Sequence, residues 1–124
     1  MNSSGQGMEK LDEIVQLSIL YDFYGELLSE HKKQIFEDYV LNDLSLSEIA
    51  AEQNISRQGV YDIIKRCSKE LKEYESKLAL VRRFQSVKEK LTRIKDISET
   101  IRLTGELTGM NRIETLADDI LKEL

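Results

Sequence analysis

From Val60 to Val81, apolar side chains recur at steps of 4, 3, 4, 3, 4 and 3: Val60, Ile64, Cys67, Leu71, Tyr74, Leu78 and Val81. A sustained 3.5-residue repeat puts all seven on one side of an α-helix, and a strand has no such period. The spacing predicts one unbroken helix from Arg57 to about Arg82. The 124 residues contain no proline, so the strongest helix breaker is missing throughout. The chain is therefore read as all-α. With 40% apolar and 33% charged residues it suits a folded chain with a real core and argues against disorder.

The segment before that repeat supplies partners for it. Residues 1–8 read as a flexible leader, with Met8 as an alternative start. Over residues 9–28, Ile14, Leu17, Tyr21, Tyr24 and Leu28 form one helical stripe, and Leu20, Phe23 and Leu27 a second beside it. Ser29 is placed to cap a helix whose Ile35, Phe36, Tyr39 and Val40 face inward. Beyond the repeat the phase shifts, predicting a turn or kink near 82–86 and an antiparallel return helix with Phe84, Val87, Leu91, Ile94 and Ile101 as its stripe. Gly105 and Gly109 mark a turn, with Asn111 capping a last helix that carries Ile113, Leu116, Ile120 and Leu121. The organisation expected is a leader (1–8), a helix-turn-helix domain with an extended last helix (9–82) and a C-terminal helical segment (83–124).

The most informative stretch is "LSLSEIAAEQNISRQGVYDIIKR", residues 44–66. Ser45 and Glu48 have capping-box spacing, and Ser56 is placed to cap the next helix. Between them Asn54 tolerates the left-handed backbone of a tight turn. Ala50 is small enough for a close helix crossing, and Val60 and Ile63 anchor the second helix, as a helix-turn-helix requires. If that helix docks in a major groove, its outer face presents Arg57, Gln58, Tyr61, Asp62, Lys65 and Arg66. Arg57 suits guanine and Gln58 adenine; Lys65 and Arg66 suit phosphates. Asp62 repels the backbone unless it accepts from cytosine N4. Capped hairpins also occur in helical proteins that never touch nucleic acid, and these residues alone leave both readings open.

Charge limits how such a face would work. The chain carries a net charge of −5, with −6 in residues 1–44, zero in 45–71, +4 in 72–103 and −3 in 104–124. A polyanion contact would come from the middle and later helices, with the acidic first third turned away. A single copy with three cations on its face would bind weakly, so affinity calls for a dimer or a protein partner.

Other functions find little support. His31 is the only histidine, and no second histidine or cysteine is spaced for a metal. Cys67 falls on the buried stripe, and a lone cysteine makes no internal disulfide, which suits the cytoplasm. There is no P-loop, no glycine-rich dinucleotide turn, no Ser/His/Asp set and no apolar run of membrane-spanning length. No enzyme, cofactor, metal or membrane association is expected.

"YDFYGELLSEHKKQIFEDYVLNDLSLSEIAAEQNISRQGVYDIIKR", continuing through "LKEYESKLALVRRF", resembles the YlxM family of small bacterial helix-turn-helix proteins, over roughly residues 19–84. Gly59 departs from it, standing where the family more often has alanine. The resemblance implies an all-α fold similar to region 4 of sigma factors. It also implies a role in the signal recognition particle pathway, inferred for the family from genes beside that of the particle's GTPase, Ffh. The partners it points to are DNA or RNA, the particle's RNA among them, and Ffh. A DNA-binding transcriptional regulator using the same face is the alternative, as is a protein-interaction module with the hairpin as scaffold. The stripe Leu71, Tyr74, Leu78 and Val81 is assigned to helix packing: it is covered either by a second copy, giving a homodimer, or by the return helix.

Overall fold

The apolar seam that begins at Val60 is where the first helices meet. The structure, a computed structural model, describes residues 3–124, with side chains from Asp12 onward. Its elements are α1 (Ser3–Tyr24), a 3₁₀ turn (Gly25–Leu27), α2 (Glu30–Val40), α3 (Leu46–Gln53), α4 (Arg57–Leu78), α5 (Leu80–Thr104) and α6 (Met110–Glu123). The chain is all-α, with no strand among the described residues. The leader expected over residues 1–8 lies partly outside the described residues, and helical backbone is present from Ser3.

The helices divide into two units, one ending at Ala79 and one from Leu80 to Leu124. In the first, α1, α2 and α3 all pack on α4. Val60, Cys67 and Leu71 are fully enclosed, together with Tyr24, Ile35, Phe36 and Ile49. Dense burial of this kind stabilises by about 1.5–3 kcal/mol for each large side chain taken from water. Two hydrogen bonds tie the helices at their polar edges: Tyr21 donates to Glu37 at 2.8 Å and Tyr24 to Glu75 at 2.6 Å. Gly25 lies against the Tyr21 ring so closely that an added Cβ would sit 2.8 Å from it.

Several expectations are corrected. Of the second stripe Leu20 alone is buried; Phe23 and Leu27 are exposed, Leu27 within the 3₁₀ turn that follows the helix. Ser29 occupies an N-cap position without making a side-chain cap bond. The long helix breaks at Ala79, whose φ of 53° and ψ of 32° are left-handed, and not at residues 82–86. In α5 the residues turned toward α6 are Val87, Ile94, Ile97 and Ile101, whereas Phe84 and Leu91 are exposed. The N-cap of α6 is Gly109 rather than Asn111, because Gly109 must pass against Ile97, where a Cβ would lie only 2.5 Å away. Leu121, expected inside, is exposed, while Leu116 and Ile120 are buried.

The second unit is an antiparallel hairpin of α5 and α6. Ser86 near the start of α5 donates to Glu123 near the end of α6 at 2.8 Å, and Lys90 donates to the same Oε1 atom. Lys90 first, then Ser86, hold the Glu123 carboxyl below the usual carboxylate range. A group with a lowered folded pKa stabilises above its unfolded pKa and loses that effect as pH falls through the folded one. Glu123→Gln should therefore melt below the parent near neutral pH, and thermal melts should show the gap closing as pH falls through the lowered pKa of Glu123.

Ala79 yields a second prediction. Left-handed backbone costs a residue with a Cβ about 1–2 kcal/mol, and a glycine gives back about 0.4–1 kcal/mol through unfolded-chain entropy. Ala79→Gly should raise stability by about 0.5–1 kcal/mol in urea denaturation.

Candidate nucleic-acid interface

The hairpin of α3 and α4 is fixed by three local devices. Ser45 Oγ accepts from the Glu48 N–H at 3.1 Å, and Glu48 Oε1 accepts from the Ser45 N–H at 3.2 Å, completing the capping box. Asn54 takes φ 57° and ψ 43°, and its neighbour Ile55 donates its N–H to the Ala50 carbonyl at 3.1 Å. Ser56 Oγ then accepts from the Gly59 N–H at 2.9 Å and starts α4. Each cap satisfies donors that a helix end otherwise leaves unpaired. Ala50 is buried at the crossing, and Val60 and Ile64 hold α4 against the core, with Ile63 half-buried beside them.

With that side of α4 committed to the core, the other side faces outward. All six residues expected there, Arg57, Gln58, Tyr61, Asp62, Lys65 and Arg66, are exposed. They form two groups. Arg57 and Gln58 share a shallow depression of about 320 Å³ with Tyr61 and Leu46. Tyr61, Asp62, Lys65 and Arg66 border a larger groove of about 1170 Å³. Tyr61 joins the two, and the Lys65 ammonium stands 5.5 Å from its ring centroid, within cation–π range. Asp62 has a role the sequence reading lacked: it accepts from the Gln58 amide at 3.0 Å. This i,i+4 bond satisfies part of the carboxylate and orients the amide.

Sequence reasoning missed the rest of the large groove. Lys69 and Lys72 continue the basic line of α4, and Glu13 and Ile14 of α1, Tyr39 of α2 and Leu46 of α3 complete the lining. The i, i+4, i+7 spacing of Lys65, Lys69 and Lys72 was a signal available in the sequence. The α1 wall was not, since only the tertiary packing brings it there.

The stripe read as dimer or helix packing separates. Leu71 is fully buried and Tyr74 half-buried within the first unit, the Tyr74 ring 6.0 Å from that of Tyr24. Leu78 is exposed, and Val81, beyond the break at Ala79, is buried.

A family model, described as "Putative helix-turn-helix protein, YlxM / p13 like", matches residues 11–108. The chain belongs to this UPF0122 family. The match runs well past residue 84 and takes in all of α5. A UPF0122 protein of Thermoanaerobacter sp. (strain X514) is 50% identical over 91 residues, covering 73% of this chain and 78% of the relative. One of Malacoplasma penetrans (strain HF-2) is 48% identical over 89 residues, 72% of this chain and 82% of the relative. The UPF0122 protein YlxM of Bacillus subtilis (strain 168) is 39% identical over 100 residues, 81% and 91% of the two chains. UPF0122 is described as a helix-turn-helix family, and that motif suggests nucleic-acid binding.

Other chemistry-bearing groups stand apart from this face. No helix among the described residues is long and apolar enough to cross a membrane, and no cluster of His, Cys, Asp and Glu among them could hold a metal ion. His31 is exposed near the start of α2. Cys67 is fully buried, and burial pushes its thiol up to about 11, with nearby Lys32 offsetting this in part. A thiol both enclosed and protonated is a poor nucleophile. Ellman's reagent should leave Cys67 unmodified in the folded chain and label it fully in denaturing urea; rapid labelling without denaturant would contradict this burial.

Proposed function

We propose that this UPF0122 chain is a non-enzymatic regulatory protein of the cytoplasm that binds nucleic acid through the outer face of α4, in the service of the signal recognition particle pathway. The observation that carries the binding reading is the doubly capped hairpin. It exposes the first turns of α4, with Arg57, Gln58 and Tyr61, while the opposite side of that helix is locked in the core. A helix-turn-helix enters a major groove with those turns foremost. Arg57 and Gln58 stand where base edges would lie, and Lys65 and Arg66 about two turns further on, where phosphates would. Asp62 bears on discrimination through its bond to Gln58. The pathway reading rests on the family resemblance, and the likeness to sigma region 4 is the reason to include duplex DNA in its test.

The number of cations argues against strong solitary binding. Even with all three cations of the face, Arg57, Lys65 and Arg66, set against phosphates, the slope of log K against log salt is no steeper than about −3. Affinity then comes from a second copy or from Ffh.

The test is a salt titration of binding to the particle's RNA, to that RNA with Ffh, and to random duplex DNA. We expect binding that is tightest with RNA and Ffh together. Lys65→Ala or Arg66→Ala should each reduce the slope by about 1. Absence of binding to all three at low salt would overturn the nucleic-acid reading. Selective binding to one duplex sequence, abolished by Arg57→Ala, would replace the pathway reading with that of a transcriptional regulator.

A further inference from the structure

The groove of about 1170 Å³ in the first unit is larger than the roughly 300–1,000 Å³ of small-molecule sites, and most of its charged lining is exposed. It is a trough, not a closed pocket. Its floor is apolar: Ile14 and Leu17 of α1, Tyr39 of α2, Leu46 of α3, and Tyr61 and Ile64 of α4. Ile14, Tyr39 and Leu46 are only half-buried and Tyr61 is exposed, so this apolar surface is left partly in water. One wall is cationic, formed by Lys65, Arg66, Lys69 and Lys72. Lys69 and Lys72 make no ion pair or hydrogen bond among the described residues. From Tyr61 to Ser76 the lining follows α4 for about 22 Å, at 1.5 Å per residue.

Two occupants could answer a cationic wall: a phosphate backbone or an acidic helix. Glu13, Asp62 and Glu73 also line the groove and face either occupant, but a backbone would leave the apolar floor without a partner. A helix with an apolar stripe and acidic residues along one flank answers both features, its stripe on the floor and its carboxylates on Lys65, Lys69 and Lys72. Recognition of an amphipathic helix in a groove is a recurrent binding mode. We infer that this groove between α1 and α4 binds an acidic amphipathic α-helix of a partner protein. Because Tyr61, Asp62, Lys65 and Arg66 belong to both surfaces, a helix seated here blocks the face assigned above to nucleic acid. That competition rests on the nucleic-acid reading; the helix site does not.

The probe is a synthetic amidated peptide of about 15 residues, matching the length of the groove. It carries Leu and Ile at i, i+3, i+4 and i+7, with Glu along one flank. Controls are a scramble of the same composition and a version with Lys in place of Glu. Binding to the full ¹⁵N-labelled chain is followed by fluorescence anisotropy and amide shifts. We expect the acidic peptide to bind about tenfold or more tightly than either control, and the double variant Lys69→Glu/Lys72→Glu to lose a similar factor. Shifts should centre on Ile14, Leu46, Tyr61 and Lys69. A urea midpoint equal to the parent's shows that the variant is folded, and shift mapping on the unmodified chain decides the matter if it is not.

Equal binding of all three peptides, or shifts centred elsewhere, would overturn the inference. So would a double variant that loses nucleic-acid binding but keeps the peptide. Peptide binding at the groove by a chain that binds no nucleic acid would uphold this inference and remove the earlier reading.

Discussion

The packing of α1, α2 and α3 on a single side of α4 governs the rest of the first unit. Val60, Ile64, Cys67 and Leu71 are the shared floor, and each neighbouring helix buries its own stripe on them. Hydrophobic burial is non-directional, so the seam alone does not orient anything. Orientation comes from the ends: Ser45 decides where α3 begins, the left-handed Asn54 where it stops and Ser56 where α4 begins. Together they expose a fixed set of side chains, because a helix rotated to bury its seam has no freedom left in what it shows.

That division explains what could be read from the amino-acid order. The caps at Ser45, Glu48 and Ser56 and the turn at Asn54 are local chemistry, written in adjacent residues, and they appear in the structure as read. The seam as far as Leu71 is likewise legible, since its repeat is strong and its neighbours are all helical. The break at Ala79 was not. Alanine is the best helix former, and no glycine or asparagine marks the place where the backbone turns left-handed. Continuing the repeat to Val81 was the natural extrapolation, and tertiary context overrode it.

The candidate site was legible in the same partial way. Its six residues on α4 followed from helix phase alone, and all six are exposed. The hydrogen bond between Gln58 and Asp62 depends on rotamers, and the wall contributed by Glu13 and Ile14 on packing between elements far apart in sequence. Neither leaves a periodic trace. Charge taught a related lesson: a net −5 says little about a face when opposite charges sit on different helices. Near Lys65, Lys69 and Lys72 the local balance matters, and cations there outnumber carboxylates by four to three.

If Gln58 meets a base as proposed, its bond to Asp62 bears on selectivity. An amide with no partner would hydrogen-bond to whatever edge it met, rewarding every sequence alike. The bond to Asp62 uses one of the two N–H donors of the Gln58 amide, so its second N–H and its oxygen stay open to an adenine edge. An adenine that bonds both to that N–H and to the oxygen meets an amide already held in one orientation and gains both bonds. The aspartate would thus act as a brace, fixing which way the amide presents its donor and its acceptor, a preference that raw attraction to phosphate does not supply.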